Sequence, residues 1–516
     1  MFSGIILSVL LRTGQVIAES STTVFCGFLI AGVMERMLGS SGIRTLFGGR
    51  GLGGLFRAWG FGMLLPVCSL GVIPIAGQMF RSGVSTGTIL AFVLAAPHIN
   101  PLSLLYGLTL SEPLIILSFA IASLFLAIGS GLVWDWFFAK PENPPPHDAI
   151  PAQSGLKRLI LVGLWSSRAS VGPSMLFILL ALVVTGTISG LIPHGNLGQS
   201  MRHDDLYSPL LMAVMAIPAY SGPLPGMMRL GLMFEHGNSV GAAFVLFELG
   251  IGINIGLILW LLFMTGKSKI LLWFCLVCAC TVGVGYCMEM PLYRAQEEAS
   301  HTHAFDDWTS PFYSFQDANL EGLRIKMLEK SGPLELFAMS NLAVLMLSGM
   351  LLNLLDPRGK LESWCNKKLE NAHSIDGVGA FLQWNVPGPV LGFIAFLGLL
   401  VFSTIALFIH YPDRRLAFED IARIRTEGLV AVRTGNRLEA VKRLEEWDQL
   451  TRKLQVGVFI RTGSIDPEKS RIAENLRESI EVIRDCSLAG NMEEAIKAIP
   501  EAEEAHRAFR SAYSND

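Results

Sequence analysis

The chain has 516 residues, of which 51% are hydrophobic and 16% charged, with a formal net charge of −3. With a mean hydropathy of +0.48, these proportions exclude a string of water-soluble domains and define a membrane protein. A balance so close to neutral leaves no basic surface for nucleic acid. Charge is also uneven: 38 of the 83 Asp, Glu, Lys and Arg side chains fall in residues 412–516, so the first four-fifths of the chain belongs to lipid and the last fifth to water.

In chain order, Met1 to Leu11 is apolar but lacks a basic flank and a small-residue cleavage site, and reads as part of the mature protein. Val24 to Leu38 ends in Glu35 and Arg36, so it spans only if it begins near Ala18, since a crossing needs roughly 20 apolar residues. Phe61 to Phe80 holds Pro66, Gly71, Pro74 and Gly77. Proline removes a helix hydrogen bond and clashes with the preceding turn, so this stretch is broken and needs protein or a cavity around it at membrane depth. Pro113 to Trp134 is an uncharged span, and Ala169 to Met201 has its apolar heart at Ser174 to Pro193. Leu206 to Phe234, with Pro209, Pro218, Pro223 and Pro225, is a second broken stretch. Leu249 to Gly266 and Ile270 to Met288 are spans, residues 291–335 an acidic extramembrane loop, and residues 336–411 two additional spans at Leu336 to Leu355 and Pro389 to Tyr411. The eight cysteines form no disulfide framework.

An offset of 154 residues superposes the two broken regions. Gly77, Met79, Phe80, Gly83, Ser85, Gly87, Ile99 and Asn100 fall on Gly231, Met233, Phe234, Gly237, Ser239, Gly241, Ile253 and Asn254, and Gly129 and Gly131 fall on Gly283 and Gly285. Flanking charges reverse sign, with Arg81 before and Glu112 after in the first half against Glu235 before and Lys267 and Lys269 after in the second. Because basic loops stay in the cytoplasm, one half is expected to be inverted. An odd number of crossings per repeat follows if each broken stretch is a re-entrant hairpin. The fold expected is an all-α polytopic membrane protein with two inverted repeats, at about 20–135 and 173–290 within a core over 1–290, plus a soluble helical-hairpin domain over 412–516. In that domain Gly435-Asn436 and Gly490-Asn491 repeat as helix-stop signals. Loop counting puts the domain outside, whereas Arg414 and Arg415 favour the cytoplasm.

Inverted repeats with broken helices at the midplane are a plan of secondary transporters. No nucleophile–base spacing, phosphate loop or H-E-x-x-H helix points to an enzyme. The expected function is a permease of the cell (inner or plasma) membrane that exports a small solute, a metal or metalloid species among the candidates, by alternating access. The rival is a membrane-anchored sensor or scaffold whose helical tail binds a protein partner. The bilayer and the solute are the expected partners, and no cofactor is expected.

Leu65 to Pro74, Arg81-Ser82-Gly83 and Ala91 to Pro101, followed by Ile217 to Gly222 and Gly237 to Phe244, resemble the predicted-permease family that includes the trivalent organoarsenical efflux permeases. The resemblance covers roughly residues 20–290. That family commonly reads Cys-Ser-Cys-Gly where this chain has Cys68-Ser69-Leu70-Gly71, and often has a further cysteine where Ser221 and Gly222 stand. Soft metalloids prefer several thiolates, and Cys68 alone holds an expected thiol position.

The solute pathway is expected near Cys68, Gly71, Pro74, Pro97, His98 and Asn100 of the first half and Pro218, Tyr220, Ser221 and Asn254 of the second. Pro97 and Pro101 free carbonyls around His98 and Asn100 in an apolar stretch, where polar groups face a pathway or a partner helix. Glu248 lies among apolar residues and is a candidate proton carrier, with pairing to Arg229 as the alternative. His301 and His303, beside Asp306 and Asp307, are candidate metal ligands, against the plainer reading of exposed loop histidines.

Overall fold

The computed structural model describes residues 2–48, 51–98, 105–138 apart from 108 and 110–112, and 158–293 apart from 198. It also describes 302–364 apart from 303, 313–317, 321–322, 325 and 328–332, isolated positions between 397 and 411, and 413–514 apart from 465. Every regular element among them is helical. Five helices are long and apolar enough to cross a bilayer, and a bent pair makes a sixth. The chain forms two compact units, one built from residues 1–104 and 114–399 and the other from 105–113 and 400–516.

In the first unit, α1 (Phe2–Val33) runs on through a π-turn at Met34–Leu38 into α2 (Gly39–Phe47). This is longer than the span expected near Ala18 to Leu38. Hydropathy failed there because Arg12, Gln15 and Ser20 interrupt the apolar run, yet all three are buried against other parts of the fold. Next come α3 (Leu52–Leu64), α4 (Val72–Arg81), α5 (Thr86–His98) and α6 (Pro113–Phe137). The second half continues with α7 (Arg158–Ala169), α8 (Pro173–Leu191), α9 (Ser208–Ala216), α10 (Pro223–Glu235), α11 (Val240–Val245, extended by a π-turn at Leu246–Ile251), α12 (Ile255–Thr265) and α13 (Lys267–Leu292). Helix α14 (Pro333–Leu355) closes the described core. Both proline-rich stretches are broken as their sequence requires, at residues 65–71 and 217–222. A third break, at Gly252–Asn254, bends α11 and α12 by 55° where a simple span was expected.

The stretches 154 residues apart share local geometry. Gly83 and Gly237 both have positive φ, at 74° and 65°, and Val84 and Asn238 each donate N–H back to Met79 and Met233 at 3.1 and 2.8 Å. Ser85 and Ser239 then accept from Thr88 and Ala242 at the next helix start. At the far end of each half a carboxylate reaches that same start. Asp135 accepts from the Gly87 N–H at 3.2 Å, and Glu289 from the Gly241 N–H at 2.5 Å and the Ser239 hydroxyl at 2.7 Å. These two acids are themselves 154 residues apart. A Cβ at Gly87 would strike the Gly131 carbonyl, and one at Gly241 would lie 2.6 Å from the Gly285 carbonyl. The small residues thus let two helices cross backbone to backbone, as lipid-embedded helices do when van der Waals contact must hold them.

In the second unit, α15 (Arg414–Arg433), α16 (Arg437–Thr462), α17 (Pro467–Ala489) and α18 (Met492–Ser514) pack around Ile421, Leu444, Trp447, Leu476, Ile480 and Phe509. Gly435 and Gly490 adopt φ of 73° and 83°, a left-handed conformation that ends a helix without Cβ strain. Asn436 then caps α16 through the Glu439 N–H.

Candidate functional site

Leu65 to Gly71 leaves the helical path, and its backbone is partly satisfied locally, with the Val72 N–H on the Cys68 carbonyl at 2.9 Å. Cys68 is fully buried. Its sulfur accepts from the Thr23 hydroxyl of α1 at 2.9 Å and from the Gly71 N–H at 3.4 Å. Gly71 lies against α1, where a Cβ would press on the Thr23 carbonyl, and Pro74 is buried in the first turn of α4. In the second break, Thr185 of α8 donates to the Pro218 carbonyl at 3.1 Å and accepts from the Tyr220 N–H at 3.2 Å. The Ser221 N–H reaches the Gly250 carbonyl at 3.0 Å. Tyr220 is buried with its hydroxyl beside the Cys68 thiol, so the two breaks meet here. Thr23 of α1 lies between Arg12 of the same helix and Arg36 of the π-turn that continues it. At 1.5 Å per residue the Cys68–Tyr220 contact is therefore about 17 Å from one charged end and about 20 Å from the other.

Arg36 at its end pairs with Glu362 at 2.7 Å, and Glu362 with Arg168 at 3.0 Å. Arg168 also holds Asp356 at 3.2 Å, and two backbone N–H groups, from Leu361 and Lys360, hold the Asp356 carboxyl below its ordinary range with Arg168 adding to them. Glu35 accepts from Gln78 of α4.

A second polar group is built where α5 ends. His98, immediately after Pro97, occupies the space that Gly252 leaves empty, since a Cβ at Gly252 would collide with its ring. Positions 98 and 252, 154 residues apart, touch. The His98 Nε2 lies 3.2 Å from the Glu248 carbonyl and 3.6 Å from its carboxylate, and Nδ1 lies 3.4 Å from the Ser123 hydroxyl of α6. The π-turn explains why that carbonyl is available: the Gly252 N–H turns to Leu249 instead, and such turns recur at functional sites. His98, Ser123 and Glu248 are all at most 1% exposed. Glu248 thus pairs with His98 rather than with Arg229.

Asn254 caps α12 through the Leu257 N–H at 2.9 Å. Its Nδ2, like Glu248 Oε1, is buried with no hydrogen-bond partner among the described residues. Asn100, 154 residues before it, lies outside the described residues, and so do His301 and His303. Among the described residues no cluster of three or more His, Cys, Asp or Glu side chains is arranged to hold a metal.

Sequence reasoning missed a third group. Arg229 of α10, 4% exposed, donates to the Ser221 hydroxyl at 3.0 Å and to the Ala304 carbonyl at 2.9 Å, over the Trp308 ring at 4.4 Å. Within the acidic loop Ala304, Phe305, Trp308, Thr309, Ser310 and Phe312 are buried. Arg12 of α1 donates to the Thr309 carbonyl at 2.8 Å and the Asp306 carbonyl at 2.7 Å. Only the two isolated arginines in apolar sequence could have signalled this seat.

A protein-family model described as a predicted permease matches residues 7–290. The UPF0718 protein YcgR of Bacillus subtilis (strain 168) is 32% identical over 91 residues, 17% of this chain and 31% of that protein. The chain thus matches about a third of the length of this curated relative. No solved structure matches the chain.

Proposed function

The chain belongs to the predicted-permease family, whose match covers more than half of it, and from that premise we propose that it moves a small solute by alternating access between two inverted halves. As a family member with five apolar helices of spanning length it is a multi-pass membrane transporter. The solute passes between the breaks, near Cys68, Tyr220 and Ser221 and toward His98 and Asn254. The observation that carries this reading is the contact of His98 with Gly252, equivalent positions meeting as they do on an axis that relates two halves. The direction is export from the cell across its inner or plasma membrane, and the soft Cys68 thiol suits a metal or metalloid cargo.

Glu248 is the proton carrier of this scheme and His98 its partner. A buried carboxylate and imidazole in contact share one proton at lower cost than two separated charges.

The test has two parts. Cysteines introduced at residues 112 and 268 should be labelled from opposite faces by an impermeant thiol reagent; labelling from one face would end the inverted arrangement. A screen of uptake and efflux in inverted vesicles should find a transported solute, whereas a scaffold that uses its helical tail for partners would move nothing under any gradient.

A further inference from the structure

The second unit holds a cavity of about 380 Å³, a volume within the range of small-molecule sites. One wall is a face of α16, where Gln455, Val458 and Phe459 follow at helical spacing. The start of α17 and Tyr513 of α18 form the rest of the helical lining, and Thr109 completes it. Thr109 belongs to residues 105–113, the connection between α5, which ends at His98, and α6, which starts at Pro113. That connection is part of the second unit. It also brings Tyr106 close to Tyr411, and both rings are buried.

Gln455 is 5% exposed and Tyr513 4%. Their side chains hydrogen-bond each other, yet Gln455 Oε1 is buried with no hydrogen-bond partner among the described residues. A buried amide oxygen left unanswered destabilises the fold unless something in the cavity donates to it. The occupant must therefore bring donors. An anion brings acceptors only, and the start of α17 is already answered by Asp466, whose carboxylate accepts from the Glu468 N–H at 3.0 Å and would repel a second negative group. Lys469, on the same wall, already interacts within the chain and is no vacant cation. A hydroxyl both donates and accepts, so it answers the Gln455 amide whichever of its atoms faces the cavity, and the Ser470 and Thr462 hydroxyls too. Val458 and Phe459 offer the carbon frame of such a ligand an apolar face.

We propose that this cavity binds an uncharged polyhydroxylated molecule, a polyol or monosaccharide, and that its occupation fastens the α5–α6 connection to the helices of the tail. The site goes beyond the transport reading and is tested without a transported solute. The full chain in lipid nanodiscs is titrated with xylitol, myo-inositol and glucose, and with inorganic phosphate and acetate as anionic probes, by saturation-transfer NMR. At least one of the three neutral probes should bind saturably. Gln455→Leu should weaken that binding about tenfold, the worth of one buried hydrogen bond. Ser470→Phe, which fills the cavity from a partly exposed position, should abolish it, and unchanged helicity in the two variants separates loss of the site from loss of the fold. Amide exchange of residues 105–113 should slow when the neutral probe is bound. No binding by any of the three, binding by phosphate or acetate in their place, binding indifferent to both variants, or binding that leaves exchange at residues 105–113 unchanged would overturn the proposal.

Discussion

Two stretches of the core, 154 residues apart, share local geometry and differ in chemistry. The turn at Gly83 and Gly237, the serine after it, the glycine crossing and the carboxylate cap are the same in both. The buried polar groups are not. Ile75 stands where the second half has Arg229, Leu94 where it has Glu248, and His98 where it has Gly252. Each half thus supplies what the other lacks at the contact: a ring fills the gap over a glycine, and a carboxylate answers the ring. Different residues at positions 154 apart thus put complementary groups face to face.

The largest test of a shared frame is to fill the crossings. Gly87→Val and Gly241→Val each place a side chain against backbone that cannot move aside, and each should cost about 3 kcal/mol, the upper end of what overpacking costs, read as loss of monodisperse protein in detergent. Loss in one half only would break the equivalence. Glu248→Gln sharpens the difference instead. It should abolish gradient-driven transport while solute exchange survives, because exchange moves no net proton; equal loss of both would count against a proton role. Smaller again, Asp135→Asn and Glu289→Gln each weaken a charged cap, for about 1 kcal/mol apiece in thermal unfolding. Strongly unequal effects would mean that one cap serves another purpose.

The smallest effect belongs to the second half alone. Burial pushes the His194 imidazole below its ordinary value, with Arg12 and Lys326 in the same direction and Asp306 and the Ser310 carbonyl opposing. Its Nδ1–H donates to the Ser310 carbonyl at 3.2 Å. A depressed value in the seated state means that seating is fully favoured above about pH 6.5, the unperturbed imidazole value, and weakens as pH falls through the lowered one. Hydrogen exchange of residues 304–312 should therefore quicken on acidification, and His194→Gln should flatten that dependence.

Much of this frame was legible in the sequence, and the illegible parts share a cause. Uninterrupted hydropathy marked α6, α8, α13 and α14, prolines marked two breaks, and small residues at a fixed offset marked two stretches of like local geometry. The break at Gly252–Asn254 carries no proline, and only its fit to His98, far away in sequence, reveals it. Asp135 and Glu289 each follow an apolar run and look like ordinary loop charges until their helix-start partners are seen. The 304–312 segment was read from its acidic neighbourhood, which says nothing of the arginines that seat it. Of the predicted site, Cys68 and Tyr220 do come together and His98 meets Glu248. The choice of His98 over Arg229 as the partner of Glu248 was a tertiary fact that periodicity could not hold.

Arg12 and Thr309 are separated by 297 positions, and that separation has a consequence for biosynthesis. At about 5–20 residues per second, a ribosome that has just delivered Arg12 needs roughly 15 to 60 seconds more before the carbonyls that satisfy it exist. Through that interval the first helix is a poor candidate for independent insertion, since it carries a cation into lipid with the Gln15 side chain of its own helix, but neither loop carbonyl, ready to accept from it. Its final seating belongs to the end of translation, after the later helices are in place. Ribosome-stalled chains ending before residue 304 should leave α1 extractable from the membrane, and chains extended past residue 312 should not.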